Sequence, residues 1–243
     1  MSEKRGLRAS IRTIKATLLQ RSGYYKKRYL RQFPNAKDAV FIWIPKNGGT
    51  SMYRTLKPLG MQYLTHETQI KHYFSNKGMV SFGPLNYSYL VESGLVSQSF
   101  HQSAFKFAIS RNPYDRAVSS YFYFRDKEWI RSSMSFKEFS SHIAKIDFRK
   151  LYSSFNFYEG YLFPQFNYIT IDGELTVDYI ARLETIANDL PEINKHLGLD
   201  IELPHLNSTN HKPYQDYYCP ESRQNILTAY AIDFEKLNYP TEL

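Results

Sequence analysis

The residues best suited to chemistry lie in Pro45-Lys46-Asn47-Gly48-Gly49-Thr50-Ser51, directly after an apolar run from Ala39 to Ile44. Paired glycines let a backbone turn tightly and come close to a ligand, and the N–H groups and dipole at a helix start favour negative charge. Lys46 adds a mobile cation, and Thr50 and Ser51 add hydroxyl donors, so phosphate or sulfate is the natural guest. In the ATP-binding loop the lysine follows the second glycine. Here Lys46 precedes Gly48 and Gly49, and the ATP-binding pattern does not occur. A second anion site reads from Ser110-Arg111-Asn112-Pro113. Arg111 offers a planar fork of donors. Ser119 lies seven residues past Asn112, where helical spacing returns it to the same side. Two such sites at the ends of two parallel strands suit a nucleotide phosphorylated at both its 5′ and 3′ ends.

The elements that must position these loops follow from hydrophobic patterning. Ala39 to Ile44 reads as a buried parallel strand closed by Pro45, and the residues after Gly49 as a helix ended near Pro58 and Gly60. Phe105 to Ile109 repeats the strand and Tyr114 to Arg125 the helix, with Asn112 as N-cap and Pro113 at the first helical position. Tyr168 to Ile171 is expected to be a third strand, followed past an Asp172-Gly173 turn by Val177 to Ile180. Leu183 to Leu197 is expected to be a helix ended by Gly198. Strands alternating with helices predict an α/β fold, a three-layer domain with a central, mostly parallel sheet flanked by helices.

The 243 residues, 42% hydrophobic and 22% charged, suit one globular domain and exclude a disordered or collagen-like chain. A single cysteine, Cys219, excludes an intramolecular disulfide framework and a cysteine-based zinc site. Net charge is +8, and its location matters more than its size: residues 1–31 hold ten Lys or Arg against Glu3 alone, while the rest carries 21 basic and 22 acidic residues. We divide the chain into a basic arm, residues 1–38, and one domain, residues 39–243. In the arm Leu7, Ile11, Ile14, Leu18 and Leu19 fall at helical spacing. Such a helix suits anionic lipid, nucleic acid or a polyanionic substrate, or packs its apolar stripe on the domain. No apolar run approaches the roughly 20 residues of a membrane span, and the N-terminus lacks a signal-peptide core, so a cytoplasmic, membrane-peripheral location is expected.

The two loops together resemble the sulfotransferases that use 3′-phosphoadenosine 5′-phosphosulfate, in particular their carbohydrate branch. The resemblance rests on Ile44 to Ser51 and on Ile109 to Ser119, and continues more weakly through Arg182-Leu183-Glu184, Asn188-Asp189-Leu190, Asn207 to Tyr218 and Tyr230 to Phe234. It implies a P-loop NTPase-like fold and transfer of a sulfuryl group to a hydroxyl of a carbohydrate or glycan, without a metal. It also implies that Lys46 neutralises charge on the bridging oxygen as the sulfuryl group leaves. Asn47, Gly48, Gly49, Thr50 and Ser51 would hold the 5′-phosphate, Arg111 and Ser119 the 3′-phosphate, and Lys212 would close a loop over the nucleotide.

An acceptor hydroxyl must lose a proton, so a general base is expected nearby. His66 and Glu67 lie where similar enzymes carry a base facing the acceptor, and His72 and His101 are the other candidates. Some carbohydrate sulfotransferases have Gly-His where this chain has Gly83-Pro84, and Pro84 cannot be a base. Two other readings compete: a nucleotide or small-molecule kinase, opposed by the position of Lys46 and the lack of a magnesium-binding pattern, and a non-catalytic polyanion- or membrane-binding module, opposed by intact Lys46, Arg111 and Ser119. No specific nucleic-acid partner is expected.

Overall fold

In the computed structural model the described residues are 14, 18, 23–83, 85, 87–148, 160–203 and 212–243. In chain order their helices and strands are α1 (Tyr24–Gln32), β1 (Ala39–Ile42), α2 (Gly49–Leu56), β2 (Gln62–Tyr63), α3 (Glu67–Tyr73), β3 (Met79–Ser81), α4 (Tyr87–Glu92), α5 (Gln98–Ser103) and β4 (Phe105–Ser110). They continue as α6 (Pro113–Asp126), α7 (Phe136–Ala144), β5 (Thr170–Ile171), β6 (Glu174–Leu175), β7 (Tyr179–Arg182), α8 (Ile186–Leu197), α9 (Pro220–Ala229) and α10 (Ala231–Lys236).

Every residue of β1 is buried, which requires cover on both faces of its sheet. Among the described residues five strands form that sheet in the order β2-β3-β1-β4-β7, and every pairing is parallel. Successive side chains alternate faces. Ala39 and Phe41 pack with Phe107 and Ile109 of β4 against Met52 and Leu56 of α2 and Leu190, Ile193 and Leu197 of α8. Val40, Ile42 and Ala108 belong to the opposite core, with Ile70, Phe74, Leu90, Val118, Phe139 and Phe234. The result is the expected α/β arrangement of helix, sheet and helix layers. Among the described residues no helix is long and apolar enough to cross a membrane.

Parallel strands place all C-terminal ends on one edge, so the loops after β1 and β4 become neighbours. Across the pair Ile42 faces Ala108, with Lys46 and Arg111 a few residues beyond. The expected strand at Tyr168 to Ile171 is a correction. Gln165–Tyr168 is a short 3-10 helix, and Thr170–Ile171 pairs antiparallel with Glu174–Leu175 in a separate hairpin. Asp172 and Gly173, with φ of 51° and 83°, form a tight turn that folds the chain back before the run can reach the sheet. The sheet strand is instead β7, entered by Asp178, whose carboxylate accepts from the Lys106 amide and whose own amide donates to the Lys106 carbonyl. The Lys106 ammonium donates to the carbonyls of His101 and Ala104 at the C-terminus of α5, where a cation complements the helix dipole.

Of the apolar positions in the arm, Ile14 and Leu18 are exposed, while Leu7, Ile11 and Leu19 lie outside the described residues. Helix α1 is fastened to the domain by Tyr29. Its hydroxyl donates to the Gly60 carbonyl and accepts from the Met79 amide, and its ring lies where a Cβ on Gly78 would stand. Gly60 precedes β2 and Met79 opens β3, so α1 sits at the N-terminal edge of the sheet, opposite Lys46. We expect Tyr29→Phe to strand the buried Met79 amide and cost about 1–3 kcal/mol, read as a lower denaturant midpoint with unchanged slope.

Candidate anion-binding site

Lys46 has a left-handed backbone, φ 70°, as has Gly48 at 77°. For lysine that conformation costs about 1 kcal/mol or more and persists only where surroundings enforce it. Here the Lys46 carbonyl accepts from Arg111 Nη1 at 3.0 Å. Its neighbours are tied as well: the Pro45 carbonyl accepts from Arg116 Nε at 3.1 Å, and Asn47 Nδ2 donates to the Ile109 carbonyl at 2.8 Å and to Gln165 Oε1 at 2.6 Å. Gly49 admits no side chain, since a Cβ there would lie 2.3 Å from the Trp43 indole. Helix α2 then begins at Gly49 with no side-chain cap and no acid in its first turn, leaving its starting amides suited to an anion. Thr50 is exposed at that turn and Ser51 is buried. The Asn47 side chain is engaged inside the protein, so toward an anion this residue offers its backbone.

Arg111 holds Asp115 in a fork, Nε to Oδ2 and Nη2 to Oδ1, both 2.8 Å. With Nη1 on the Lys46 carbonyl, three of its five N–H groups are used, and two remain for a ligand. Ser119 is buried on α6. Helical periodicity sets it between Arg116, which reaches Pro45, and Tyr123, whose ring centroid lies 4.2 Å from Lys46 Nζ. The structure therefore brings Lys46, the Gly48-Gly49 turn, Arg111 and the Ser119 face of α6 to one edge.

Burial, reinforced by the nearby Arg111 guanidinium, lowers the Lys46 ammonium from the ordinary lysine value to about 8, while Asp126 acts in the opposite direction. An anion bound between these cations would reverse that pressure. Tyr123 also stacks on Tyr161, with centroids 5.6 Å apart, and both meet Trp129 edge-on at 5.5 Å. Lys127 reaches the same Tyr123 ring at 5.8 Å. Lys46 thus sits against a half-exposed aromatic wall.

His66 and Glu67 are exposed beyond the C-terminal end of β2, on the same edge as Lys46 but two strands from β1. Glu67 is bonded by the Tyr89 hydroxyl. His72 is in the last turn of α3 and His101 sits in α5 just before β4, and both therefore stand at the opposite edge. His101 is bonded to the Tyr87 hydroxyl there. Lys212 is exposed, ahead of the 3-10 helix Tyr214–Tyr217. That segment reaches α6, where the Tyr218 hydroxyl donates to the Tyr114 carbonyl. Pro84, Asn210 and His211, with the stretch from Asn207 to His211, lie outside the described residues.

The later motifs support the site from behind. Glu184 accepts from the Asn112 amide at 2.6 Å, and Asp189 accepts from the Arg182 amide at 3.1 Å. Sequence reasoning missed Asp115, Asp126, Gln165 and Asp233. Asp115 was legible as an acid four residues after Arg111, and Asp126 as one turn beyond Tyr123. Asp233 lies in the Tyr230 to Phe234 stretch that carries the weaker resemblance, without a role read for it, and Gln165 carried no local signal.

Fold and site together define an α/β domain with two cation-bearing loops at the ends of adjacent parallel strands. The model of the sulfotransferase family matches residues 34–240, and the chain belongs to that family. The crystal structure of a sulfotransferase from Alicyclobacillus acidocaldarius is similar at 17% identity and a TM-score of 0.48, over 84% of this chain and 95% of that one. Among curated proteins no match is found.

Between pH 8 and 10.5 the unfolded chain binds a proton at Lys46 that the folded chain has released, so stability rises with pH across that window. Below it the buried charge is a cost. Lys46→Met should therefore stabilise the ligand-free protein at pH 7 by on the order of 1–2 kcal/mol after the lost attraction to Tyr123. The gain in thermal midpoint should shrink toward pH 10, and an unchanged or lower midpoint at pH 7 would contradict the assignment.

Proposed function

We propose that this sulfotransferase takes its sulfuryl group from 3′-phosphoadenosine 5′-phosphosulfate and passes it to a hydroxyl of a carbohydrate. The observation that carries the donor assignment is the hydrogen bond from Arg111 to the Lys46 carbonyl, which sets two cationic loops side by side at one edge. A nucleotide with anionic groups at both ends of its ribose matches that spacing of charge; a triphosphate chain would put all its charge on one loop. The starting amides of α2 with Thr50 and Ser51 would take the 5′-phosphate, and the two spare N–H groups of Arg111 with Ser119 the 3′-phosphate. The donor supplies an activated sulfuryl group. In line with phosphoryl transfer, the protein then contributes positioning and charge stabilisation more than covalent chemistry.

Lys46 is the group suited to the leaving oxygen, because it lies next to the 5′-phosphate turn and is held out of water against Tyr123. The attacking hydroxyl forms its bond to sulfur as the bond from sulfur to the phosphate oxygen breaks, and its proton passes to a base on the same edge. Asp126, whose field acts on Lys46, joins His66 and Glu67 as candidates for that role. The wall of Tyr123, Tyr161 and Trp129 supports a sugar acceptor, whose apolar ring face packs on aromatic surface.

Calorimetric titration with adenosine 3′,5′-bisphosphate tests the donor, with ATP and Arg111→Ala as controls. We expect the bisphosphate to bind at least about tenfold more tightly than ATP, and Arg111→Ala to weaken it by on the order of 2–3 kcal/mol, the scale of a lost charge-assisted contact. Equal binding of both nucleotides, or an unaffected variant, would favour the kinase or polyanion-binding reading. Transfer of labelled sulfuryl to glycans rather than phenols or peptides would identify the acceptor class. Among Asp126→Asn, His66→Ala and Glu67→Gln, the base is the one whose loss lowers kcat without changing bisphosphate affinity.

A further inference from the structure

Gln165 is fully buried and lies in neither anion-binding loop, yet its carboxamide bonds to both. Oε1 accepts from the Arg111 backbone amide at 2.9 Å and from Asn47 Nδ2 at 2.6 Å, while Nε2 donates to the Arg111 carbonyl at 2.8 Å. Because Arg111 presents both its N–H and its C=O, only one orientation of the Gln165 amide satisfies it. That orientation in turn dictates that Asn47 presents its NH2 group. Gln165 is itself held from a third direction. Asp233, fully buried in α10, accepts from the Gln165 amide at 2.8 Å and from the Phe166 amide at 2.9 Å, one on each carboxylate oxygen.

We propose that Gln165, backed by Asp233, is a positioning residue that sets the distance between the two nucleotide-binding loops, so that one donor molecule engages both at once. The inference rests on the donor reading given above and adds to it a specific consequence. When two contacts are joined rigidly, the second forms at high effective concentration, and loosening the joint removes that advantage while leaving each contact intact. A ligand that touches one loop is then indifferent to Gln165, and a ligand that touches both is not. Asn47 and Arg111 differ from Gln165 in belonging to the loops themselves. Loss of either would alter a contact rather than the spacing between contacts.

The test compares adenosine 3′,5′-bisphosphate with adenosine 5′-phosphate, titrated calorimetrically into the full chain. Gln165→Met keeps the length of the side chain and removes all three hydrogen bonds. Gln165→Glu keeps the acceptor and sets a second oxygen against the Arg111 carbonyl. Asp233→Asn loosens Gln165 from behind and serves if the Gln165 variants fold poorly. We expect each variant to weaken the bisphosphate by about tenfold or more and the monophosphate by less than about twofold, with Asp233→Asn the mildest. Ser140→Ala, on α7, whose hydroxyl donates to the Lys137 carbonyl away from both loops, should leave the ratio of the two affinities unchanged. An equal fall for both nucleotides would show that Gln165 acts only on the fold. An unchanged ratio would show that the loops keep their spacing without it. Either result overturns the proposal. Failure of the wild-type protein to prefer the bisphosphate would instead count against the donor reading, and so is distinguishable from failure of the positioning role.

Discussion

Three consecutive residues, Pro45, Lys46 and Asn47, are each hydrogen-bonded by a side chain to the segment that begins with Arg111 or to the residue that braces it. These contacts hold a lysine in a left-handed conformation, fix the turn before α2, and bring an ammonium close to a guanidinium. Two cations side by side, one of them mostly out of water, are unfavourable on their own. Their proximity is maintained by bonds made to main-chain carbonyls, while the Asp115 fork on Arg111 and the field of Asp126 on Lys46 relieve part of the repulsion. On the donor reading proposed above, such an arrangement would meet a polyanion with donors already oriented.

Arg116 shows how much of the interior serves this purpose. Its guanidinium is essentially inaccessible, and it is compensated by the carbonyls of Pro45 and Tyr161, by the face of Tyr230 at 5.6 Å and by the field of Asp233. Burial pushes the Asp233 carboxyl upward and Arg116 draws it back. Nη1 has no partner among the described residues. Replacing such a group with a hydrocarbon of similar volume often costs little in stability. What a hydrocarbon could not do is hold the Pro45 carbonyl. The C-terminal segment is therefore tied to the edge that carries Lys46 in two ways, through Arg116 over the Tyr230 ring and through the two amides from which Asp233 accepts.

The loops were legible because each is a contiguous run of residues whose order is itself the chemistry. Lys46, Gly48, Gly49 and Arg111 could be read without knowing any partner. The central strands were legible because a fully buried strand leaves an unbroken apolar run. Strands β2 and β3 are two and three residues long at one side of the sheet, too short to leave a pattern. The stretch from Tyr168 to Ile171 has the composition of a strand but is turned back by Asp172 and Gly173 before it can pair with β4. The roles of Gln165 and Asp233 were illegible for another reason, although Asp233 stands in the Tyr230 to Phe234 stretch of the resemblance. Their role consists of contacts to residues 54 to 118 positions away, and a lone glutamine or aspartate has no local context that announces such contacts.

The topology also separates two sources of positive charge that the sequence alone could not place. Helix α1 exposes Lys26, Lys27, Arg28 and Arg31, and Tyr29 fastens it beside Gly60 and Met79 at the N-terminal edge of the sheet. Lys46 and Arg111 stand at the other edge. Strand β4 alone spans six residues between the two, roughly 20 Å at the rise of an extended chain. That is more than twice the screening length of about 8 Å at physiological ionic strength. The charge of α1 therefore adds little to the field at the edge that carries Lys46 and Arg111, which is set by the cations held by the bonds between the two loops. An anionic surface lying against α1 would face the edge of the sheet remote from Lys46 and Arg111.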